Sequence, residues 1–431
     1  MSARTINPAL RWLMFAGMAL AAGSMALSAG RYAVAAHWAA SPDPAMWLRA
    51  AQSEPLNAEH WYQLGRYRQL DFEHTDLTLA ISYYQRAVSI NPGSPFYWMD
   101  LAGAYETAGD IPQAEQAFRK TRDLYPISAE AAWRFGNFLL RQSRVPEAFQ
   151  QIHDAVSIDP KLTALAVSRC WRSTQDIDQI LKTVLPDEHD ENWGAIQFFV
   201  QAREPAPAMA VWRRIAAHQP SFAVSDAFPL LDMLIETGHA DDAQAVWKQA
   251  LLAGGIPADA DSTGSLVWNG SFERDLLNGG FAWRIRPIEG AQMDWDEQAA
   301  HSGRRSLRVD FDGSANVDFQ NVWQYVAVQP STRYRFSAYF RAEDLSTDSG
   351  TRFEIRDVSR PGNPSRFTPN IVGTQPWAKA DVDFATGPDT KLLQIVLRRT
   401  RSEKLGNKIR GTVWVDDAAL VSVSSSPVTS R

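Results

Sequence analysis

The residue type in excess is tryptophan, with 16 copies in 431 residues. An indole ring serves either as a wedge in a hydrophobic core or as a platform on which a flat ligand stacks, and its N–H wants a partner in both settings. A lone thiol, Cys170, stands between Arg169 and Trp171–Arg172. Those cations could lower its pKa and make it reactive; the other reading is a half-buried helix residue. One thiol can form neither an internal disulfide nor a cysteine-based zinc site. The run Pro186-Asp-Glu-His-Asp-Glu191 has metal-ligating side chains but no second ligand group at a supporting spacing, so it reads as a solvated loop. A phosphate-binding glycine loop, a Gly-x-Ser-x-Gly elbow and a His-Glu-x-x-His helix are all missing from the sequence. The expectation is a protein that is not an enzyme. A glycosidase pair of carboxylates has no sequence signature, so a secreted glycoside hydrolase stays as an outsider.

The length is enough for two or three domains. With 45% hydrophobic and 21% charged residues the chain should fold rather than stay disordered. A net charge of −6 argues against a nucleic-acid partner, which would call for a basic face.

Arg4 and Arg11 precede an uncharged run from Trp12 to Gly30. About 19 apolar residues is near the minimum for a spanning helix, and basic residues on its N-terminal side keep that end cytoplasmic. Residues 1–40 are therefore expected to be a single-pass anchor in a bacterial inner membrane, with the body in the periplasm. The milder apolar stretch Tyr32 to Ala40 favours the anchor. Cleavage near Ala26-Leu-Ser-Ala29 would instead give a signal peptide and a secreted body.

Pro92, Pro126 and Pro160 lie 34 residues apart. Before them stand, in register, Trp61, Leu64, Gly65, Ala80, Tyr84 and Ala87; then Trp98, Leu101, Ala102, Tyr105, Ala114, Phe118 and Thr121; then Phe135, Gly136, Leu139, Ala148, Ile152 and Ala155. The first unit carries about three extra residues, near Asp71 to Asp76. Small residues at matched positions let two antiparallel helices close on one another, the larger residue fills the space toward the next repeat, and proline ends the second helix. Period and residues together resemble the tetratricopeptide (TPR) repeat family. Fainter echoes, Ala208, Trp212 and Pro220 and then Gly238, Ala243, Trp247 and Ala250, extend the expected solenoid over residues 45–252. Such arrays bind protein segments on a concave face built from first helices. In this register that face should present Tyr62, Arg66, Met99, Trp133, Asn137 and Arg141.

Residues 253–264 read as a linker, which holds Asp259 and Asp261, and 424–431 as a disordered tail. Between them the hydrophobic period becomes two. Leu307, Val309 and Phe311 alternate with polar residues, as do Tyr334, Phe336, Ala338 and Phe340, and Val413 and Val415. Short alternating runs between turn-forming clusters indicate an antiparallel β-sandwich over 265–423. The ordered motifs Asn269-Gly-Ser-Phe-Glu273, Gly280-Phe-Ala-Trp283, Ser302-Gly-Arg-Arg-Ser-Leu307, Gln324-Tyr-Val-Ala-Val-Gln-Pro330, Tyr334-Arg-Phe-Ser-Ala-Tyr339 and Gly411-Thr-Val-Trp-Val-Asp-Asp417 resemble carbohydrate-binding modules with a galactose-binding-domain-like jelly roll.

That resemblance implies a structural calcium joining the first and last strands, with Glu273 and Asp417 as carboxylate ligands, Asp416 as a substitute and carbonyls near Ser302 completing the set. The other reading is that these carboxylates cap backbone N–H groups at strand ends. Sugar binding needs aromatic faces for the apolar side of a pyranose and polar groups for its hydroxyls. Outward strand positions offer Trp323, Tyr325, Tyr339, Arg356 and Arg398, with Trp377 in a loop; Trp283 and Trp414 are assigned to the core or its rim. The fold class is thus an N-terminal membrane helix, a TPR-type α-solenoid and a C-terminal jelly roll. The expected function is a scaffold that holds protein partners on its repeats and polysaccharide on its sandwich, in polysaccharide assembly or export. The alternative is a protein-interaction scaffold whose sandwich is structural.

Overall fold

The computed structural model describes residues 8–71, 73–185, 189–217, 221–257, 264–359 and 362–423. The chain divides into two compact units, Met1–Asp187 and Glu188–Arg431. Pro220, Asp259, Asp261 and the 424–431 tail fall outside the described residues, as do Pro186 to Glu188 and the side chains of 189–191.

The first unit opens with α1 (Pro8–Ala39). Its stretch Arg11–Ala39 is, among the described residues, the one helix long and apolar enough to cross a membrane. Trp12, Leu13, Phe15, Leu20 and Leu27 on it are exposed. Its C-terminal end joins the folded body: Ala35 is buried, and Arg31 Nη2 donates to the Ser53 carbonyl at 2.7 Å. Then come α2 (Pro44–Ser53) and the paired helices α3 (Ala58–Leu70) with α4 (Leu77–Ile90), α5 (Pro95–Ala108) with α6 (Ile111–Leu124), and α7 (Ala129–Arg141) with α8 (Val145–Ile158). Each second helix stops two residues before Pro92, Pro126 or Pro160. Asn57, Asp76, Asp110 and Ser128 cap helix starts by accepting from backbone N–H groups.

The matched small residues do the work their spacing implied. A Cβ on Gly65 would come to 2.7 Å from the Tyr84 ring, and one on Gly136 to 2.7 Å from Ile152. Ala80, Ala102, Ala114 and Ala148 are fully buried. Tyr84 and Ile152 therefore fill the space inside their own repeat, and Tyr84 shares a core cluster with Tyr97 and Leu101 of the next. Trp61 and Trp98 each donate their indole N–H to a carbonyl six residues earlier, Pro55 and Pro92. The unit continues through α9 (Thr163–Thr174) and α10 (Ile177–Thr183). Cys170 on α9 is fully buried, and burial pushes its thiol up to about 12, which makes it unreactive.

The second unit holds α11 (His189–Ala202), α12 (Pro205–Ala217), α13 (Phe228–Glu236), α14 (Ala240–Ala253) and the sandwich. Ala208, Trp212, Ala243, Trp247 and Ala250 are buried, at the positions read from their faint spacing. Among the described residues the strands form two five-stranded antiparallel sheets. One sheet, the front sheet, runs β1 (Arg284–Ile285), β4 (Phe319–Ala327), β9 (Leu392–Arg399), β6 (Arg352–Asp357), β7 (Arg366–Phe367). The other, the back sheet, runs β2 (Ala291–Asp296), β3 (Ser306–Asp312), β10 (Arg410–Ser422), β5 (Arg333–Leu345), β8 (Gly373–Ala385). Leu307, Val309, Phe311, Tyr334, Phe336, Ala338, Phe340, Val413 and Val415 share the core between them with Trp283.

The sequence motifs of this unit have structural causes. Asn269, with φ +52°, closes a turn by bonding both the N–H and the carbonyl of Arg274. Its own carbonyl accepts the Trp283 indole N–H at 3.1 Å. Buried Gln324 pairs with the backbone of Trp268 through both ends of its amide. Gly279 and Gly280 let α13 and α14 close on the sandwich, since a Cβ there would run into Phe228 and Trp247.

Candidate functional sites

Two surfaces gather the residues singled out by the sequence. On the repeats, Met99, Trp133, Asn137 and Arg141 line one cavity of about 310 Å³, together with Phe118, Leu165 and Arg169. They come from α5 and α7, the first helices of adjacent repeats. Tyr62 and Arg66 are not among its lining residues. They converge instead on Asp100: the Tyr62 hydroxyl donates to it at 2.7 Å, Arg66 Nε lies 3.9 Å away and Arg134 Nη1 3.1 Å away. Burial first, and then this carboxylate, hold the Tyr62 phenol well above its ordinary range. Arg141 is engaged too, with both its Nε and Nη2 on Glu106 at 2.6 and 2.8 Å. Asp100 and Glu106 were missed by sequence reasoning. The signal was present: acids one repeat upstream of outward arginines.

On the sandwich, the six proposed sugar-binding residues do not meet. Trp323, Tyr325, Arg356 and Arg398 lie on the outer face of the front sheet. Tyr339 and Trp377 lie on the outer face of the back sheet, and Trp377 is in strand β8 rather than a loop. Alternation fixes which side of a strand faces out, but not which sheet the strand joins.

The front face is built in register. Trp323 stands opposite Arg284 on β1 and Val396 on β9, and Val396 opposite Glu354 on β6. Tyr325 stands opposite Gln394, and Gln394 opposite Arg356. Glu354 accepts from Arg356 at 2.8 Å and from Ser365 Oγ at 2.7 Å, with Arg398 Nε at 3.5 Å. Burial alone would raise the Glu354 carboxyl; these bonds and the two guanidinium charges outweigh it and hold it below its ordinary value. Arg398 also pairs with Asp318. Tyr325 is half-buried. Arg284 lies over its ring, at 5.3 Å, and pairs with Asp232 of α13. Helices α13 and α14 thus wall the face on its β1–β4 side, and Trp247 and Leu251 line a cavity with Tyr325 there.

On the back face, His301 stacks on Tyr339 with ring centroids 3.5 Å apart, and its Nδ1 lies 2.7 Å from Asp417 Oδ2. Trp414, expected in the core or at its rim, lies instead on the outer side of the central strand β10, between Arg308 and Arg341, because its neighbours Val413 and Val415 take the inward positions.

The carboxylates proposed for calcium are engaged elsewhere. Glu273 Oε1 accepts the backbone N–H groups of Arg304 at 2.6 Å and Arg305 at 3.0 Å. Asp417 accepts from Ser302 Oγ at 2.8 Å and meets His301. Asp416 is fully buried and accepts from the N–H groups of His301 and Ser302. Burial pushes it up to about 6, against those donors. Among the described residues, no three His, Cys, Asp or Glu side chains gather as a metal set. In this arrangement the three acids are occupied by N–H, hydroxyl and imidazole groups, the second of the two readings that the sequence offered. These carboxylates tie the 301–305 loop to the segment before β1 and to the last strand, β10.

Residues 99–162 match the tetratricopeptide repeat family model. A curated relative, the small glutamine-rich tetratricopeptide repeat-containing protein 2 of Mycosarcoma maydis, is 29% identical over 85 residues. The match spans 20% of this chain and 24% of that protein, so the chain spans about a quarter of the relative's length. Solved structures similar to this chain include the CBM22-1 xylan-binding domain of Paenibacillus barcinonensis Xyn10C (18% identity, 36% of this chain and 94% of that one, TM-score 0.26). A family 16 carbohydrate-binding module is 19% identical over 36% of this chain and 99% of its own, again with a TM-score of 0.26. The fold assignment of the sandwich rests on its own sheet order and motifs. The chain carries tetratricopeptide repeats in its helical part, matched over residues 99–162, followed by a two-sheet antiparallel β-sandwich.

Proposed function

We propose that this protein is a non-catalytic scaffold, held in a bacterial envelope by α1, that grips a protein segment on its repeats and a glycan on the front sheet of its sandwich. Polysaccharide assembly or export is the setting that joins those two tasks. The observation that carries the reading is the registered front face, where Trp323 offers a ring in line with Glu354 while Gln394 and Arg356 follow in the next row. That is the aromatic-plus-polar set a pyranose requires. The repeat cavity, apolar at Met99, Phe118 and Leu165 and cationic at Arg169, suits a peptide side chain with an acidic neighbour.

The test is a glycan array probed with the full chain and with Trp323→Ala. Binding that weakens by about 1–3 kcal/mol on losing the ring supports the reading. Binding unaffected by Trp323→Ala but lost with Tyr339→Ala would move the site to the back sheet. A second reading, a structural sandwich that binds no sugar, is favoured by the wall of α13 and α14 over Tyr325. An array with no positive spots, alongside protein partners captured through the repeats, would establish it.

A further inference from the structure

The outer face of the front sheet is basic in a chain whose net charge is −6. Core residues Ile285, Leu397, Phe353 and Ile355 point inward from β1, β9 and β6, so Arg284, Arg286, Arg352, Arg356 and Arg398 are carried on the outward side. Against these five stand Glu354 on the strands and Asp318 and Asp232 at the edges, which neutralise Arg398, Arg356 and Arg284. Two guanidinium groups are left over. Among the described residues, no carboxylate lies within ion-pair distance of Arg286 or Arg352. Each is held over an aromatic ring instead: Arg286 over Trp323 at 5.7 Å, and Arg352 over Phe367 at 4.3 Å. Arg286 is exposed and anchored on Asn278 Oδ1 at 3.0 Å. A cation stacked on a ring is oriented without being neutralised; Arg286 spends its Nη1 on Asn278 and on the Ile285 carbonyl at 3.2 Å, and its remaining in-plane N–H groups can fork onto a planar anion.

From β1 to β6 is three strand steps, about 14 Å at the usual strand spacing. Arg286 therefore stands at one end of a face several sugar units long and Arg352 near the other, with Trp323, Gln394 and Arg398 between. A neutral glycan would leave both guanidinium groups without an anion. We infer that the ligand of this face is an acidic glycan of the uronic-acid class, whose carboxylates are taken by Arg286 and Arg352 while Trp323 stacks on a sugar ring between them. This rests on the glycan-binding reading and names its substrate class.

The experiment uses the full chain in detergent and six probes. Three are polygalacturonate, polymannuronate and polyglucuronate; three are the same polymers with their carboxyl groups reduced to primary alcohols. Neutral xylan is added as a seventh. The expected result is binding to at least one uronate that falls at least about tenfold on carboxyl reduction and weakens steeply with salt, since these charges are at the surface. Arg286→Gln and Arg352→Gln should each lose roughly tenfold to hundredfold for that uronate, as befits a charge-assisted hydrogen bond, with unchanged melting midpoints. The reduction and salt experiments on the unmodified chain keep the proposal testable should either variant fold poorly. Equal or tighter binding of a reduced polymer or of xylan, abolished by Trp323→Ala, would overturn the acidic class and leave the glycan reading standing. A uronate bound equally well by both arginine variants would overturn the placement of the carboxylates. No binding to any of the seven would remove the glycan reading and this inference together.

Discussion

The repeat array and the sandwich place their candidate site residues by opposite means. In the array, the bonds among the candidate residues join positions about one repeat apart: Arg134 with Asp100, Arg141 with Glu106, and Tyr62 with Asp100, at separations of 34, 35 and 38. The covalent period and the spatial neighbourhood coincide, as expected where each repeat touches only the next. In the sandwich, Arg284 faces Trp323 across 39 positions of chain and Arg398 stands beside Arg352 across 46, and each partner is reached through a different loop. A solenoid site can thus be shifted or lengthened by whole repeats. A sandwich site depends on strands from all over the domain arriving in the right sheet.

The same contrast appears in how the two regions use glycine, and it gives the largest expected effect. Gly270 lies where a Cβ would run into the backbone oxygen of Ala418, and the two residues are tied by an Ala418 N–H donated to the Gly270 carbonyl at 2.9 Å. Backbone cannot step aside without breaking the bulge of β10. Gly65 faces only the ring of Tyr84, a side chain, and alanine there gains about 1 kcal/mol of helix propensity. Gly270→Ala is expected to destabilise the sandwich by about 3 kcal/mol or more, the upper end for overpacking, and Gly65→Ala to cost the array about 1 kcal/mol or less. Denaturant unfolding of each variant, followed by far-ultraviolet circular dichroism, reads both. Equal costs would mean that the array is as rigidly packed as the sandwich.

Asp100 tests whether the one-repeat ladder carries stability. It holds Tyr62, Arg66 and Arg134 and is mostly buried. Asp100→Ala should destabilise the array by about 2 kcal/mol, in the range for charged hydrogen bonds. It should also bring the Tyr62 phenol down toward its ordinary value, since the carboxylate is one of the causes of its elevation. Ultraviolet titration of tyrosine checks the second outcome independently of folding. A variant with an unchanged tyrosine titration would show that burial alone sets Tyr62.

These differences also explain what could be read from the sequence. The solenoid was legible because a 34-residue spacing fixes both secondary structure and face, so Met99, Trp133, Asn137 and Arg141 fall together on one cavity. Tyr62 and Arg66, one repeat earlier on α3, turn instead to Asp100 of α5. In the sandwich, alternation identified the inward residues correctly from Leu307 to Val415. It could not assign Tyr339 to one sheet and Trp323 to the other, because sheet membership is decided by strand order. Nor could it show α13 and α14 closing over Tyr325, which depends on Gly279 and Gly280 meeting Phe228 and Trp247.

Glu354 separates the two regions by pH. Its folded-state carboxyl is depressed, so its contribution is fully present above the ordinary value of 4.5 and is lost as pH falls through the lower folded value. Each unit of depression is worth about 1.4 kcal/mol. Glu354→Gln should therefore cost the sandwich stability at pH 7 and bring variant and unmodified chain together as pH falls through that lower folded value, while the array is untouched. Melting curves at several pH values would show it. A difference that persisted at low pH would point to lost packing rather than lost charge.

The smallest expected effect is a null. Glu273 and Asp417 already satisfy backbone N–H, hydroxyl and imidazole groups of the 301–305 loop, and Asp416 is buried on two more N–H groups. To bind calcium through both oxygens, Glu273 would have to loosen the two N–H bonds on its Oε1, each worth roughly 1–3 kcal/mol at a carboxylate, and the loop would have to turn carbonyls inward. Millimolar calcium, or its removal with a chelator, should leave the melting midpoint of the sandwich where it was. A clear rise with calcium, abolished by Glu273→Gln, would show that the loop has a second arrangement in which its carbonyls, rather than its N–H groups, face these acids.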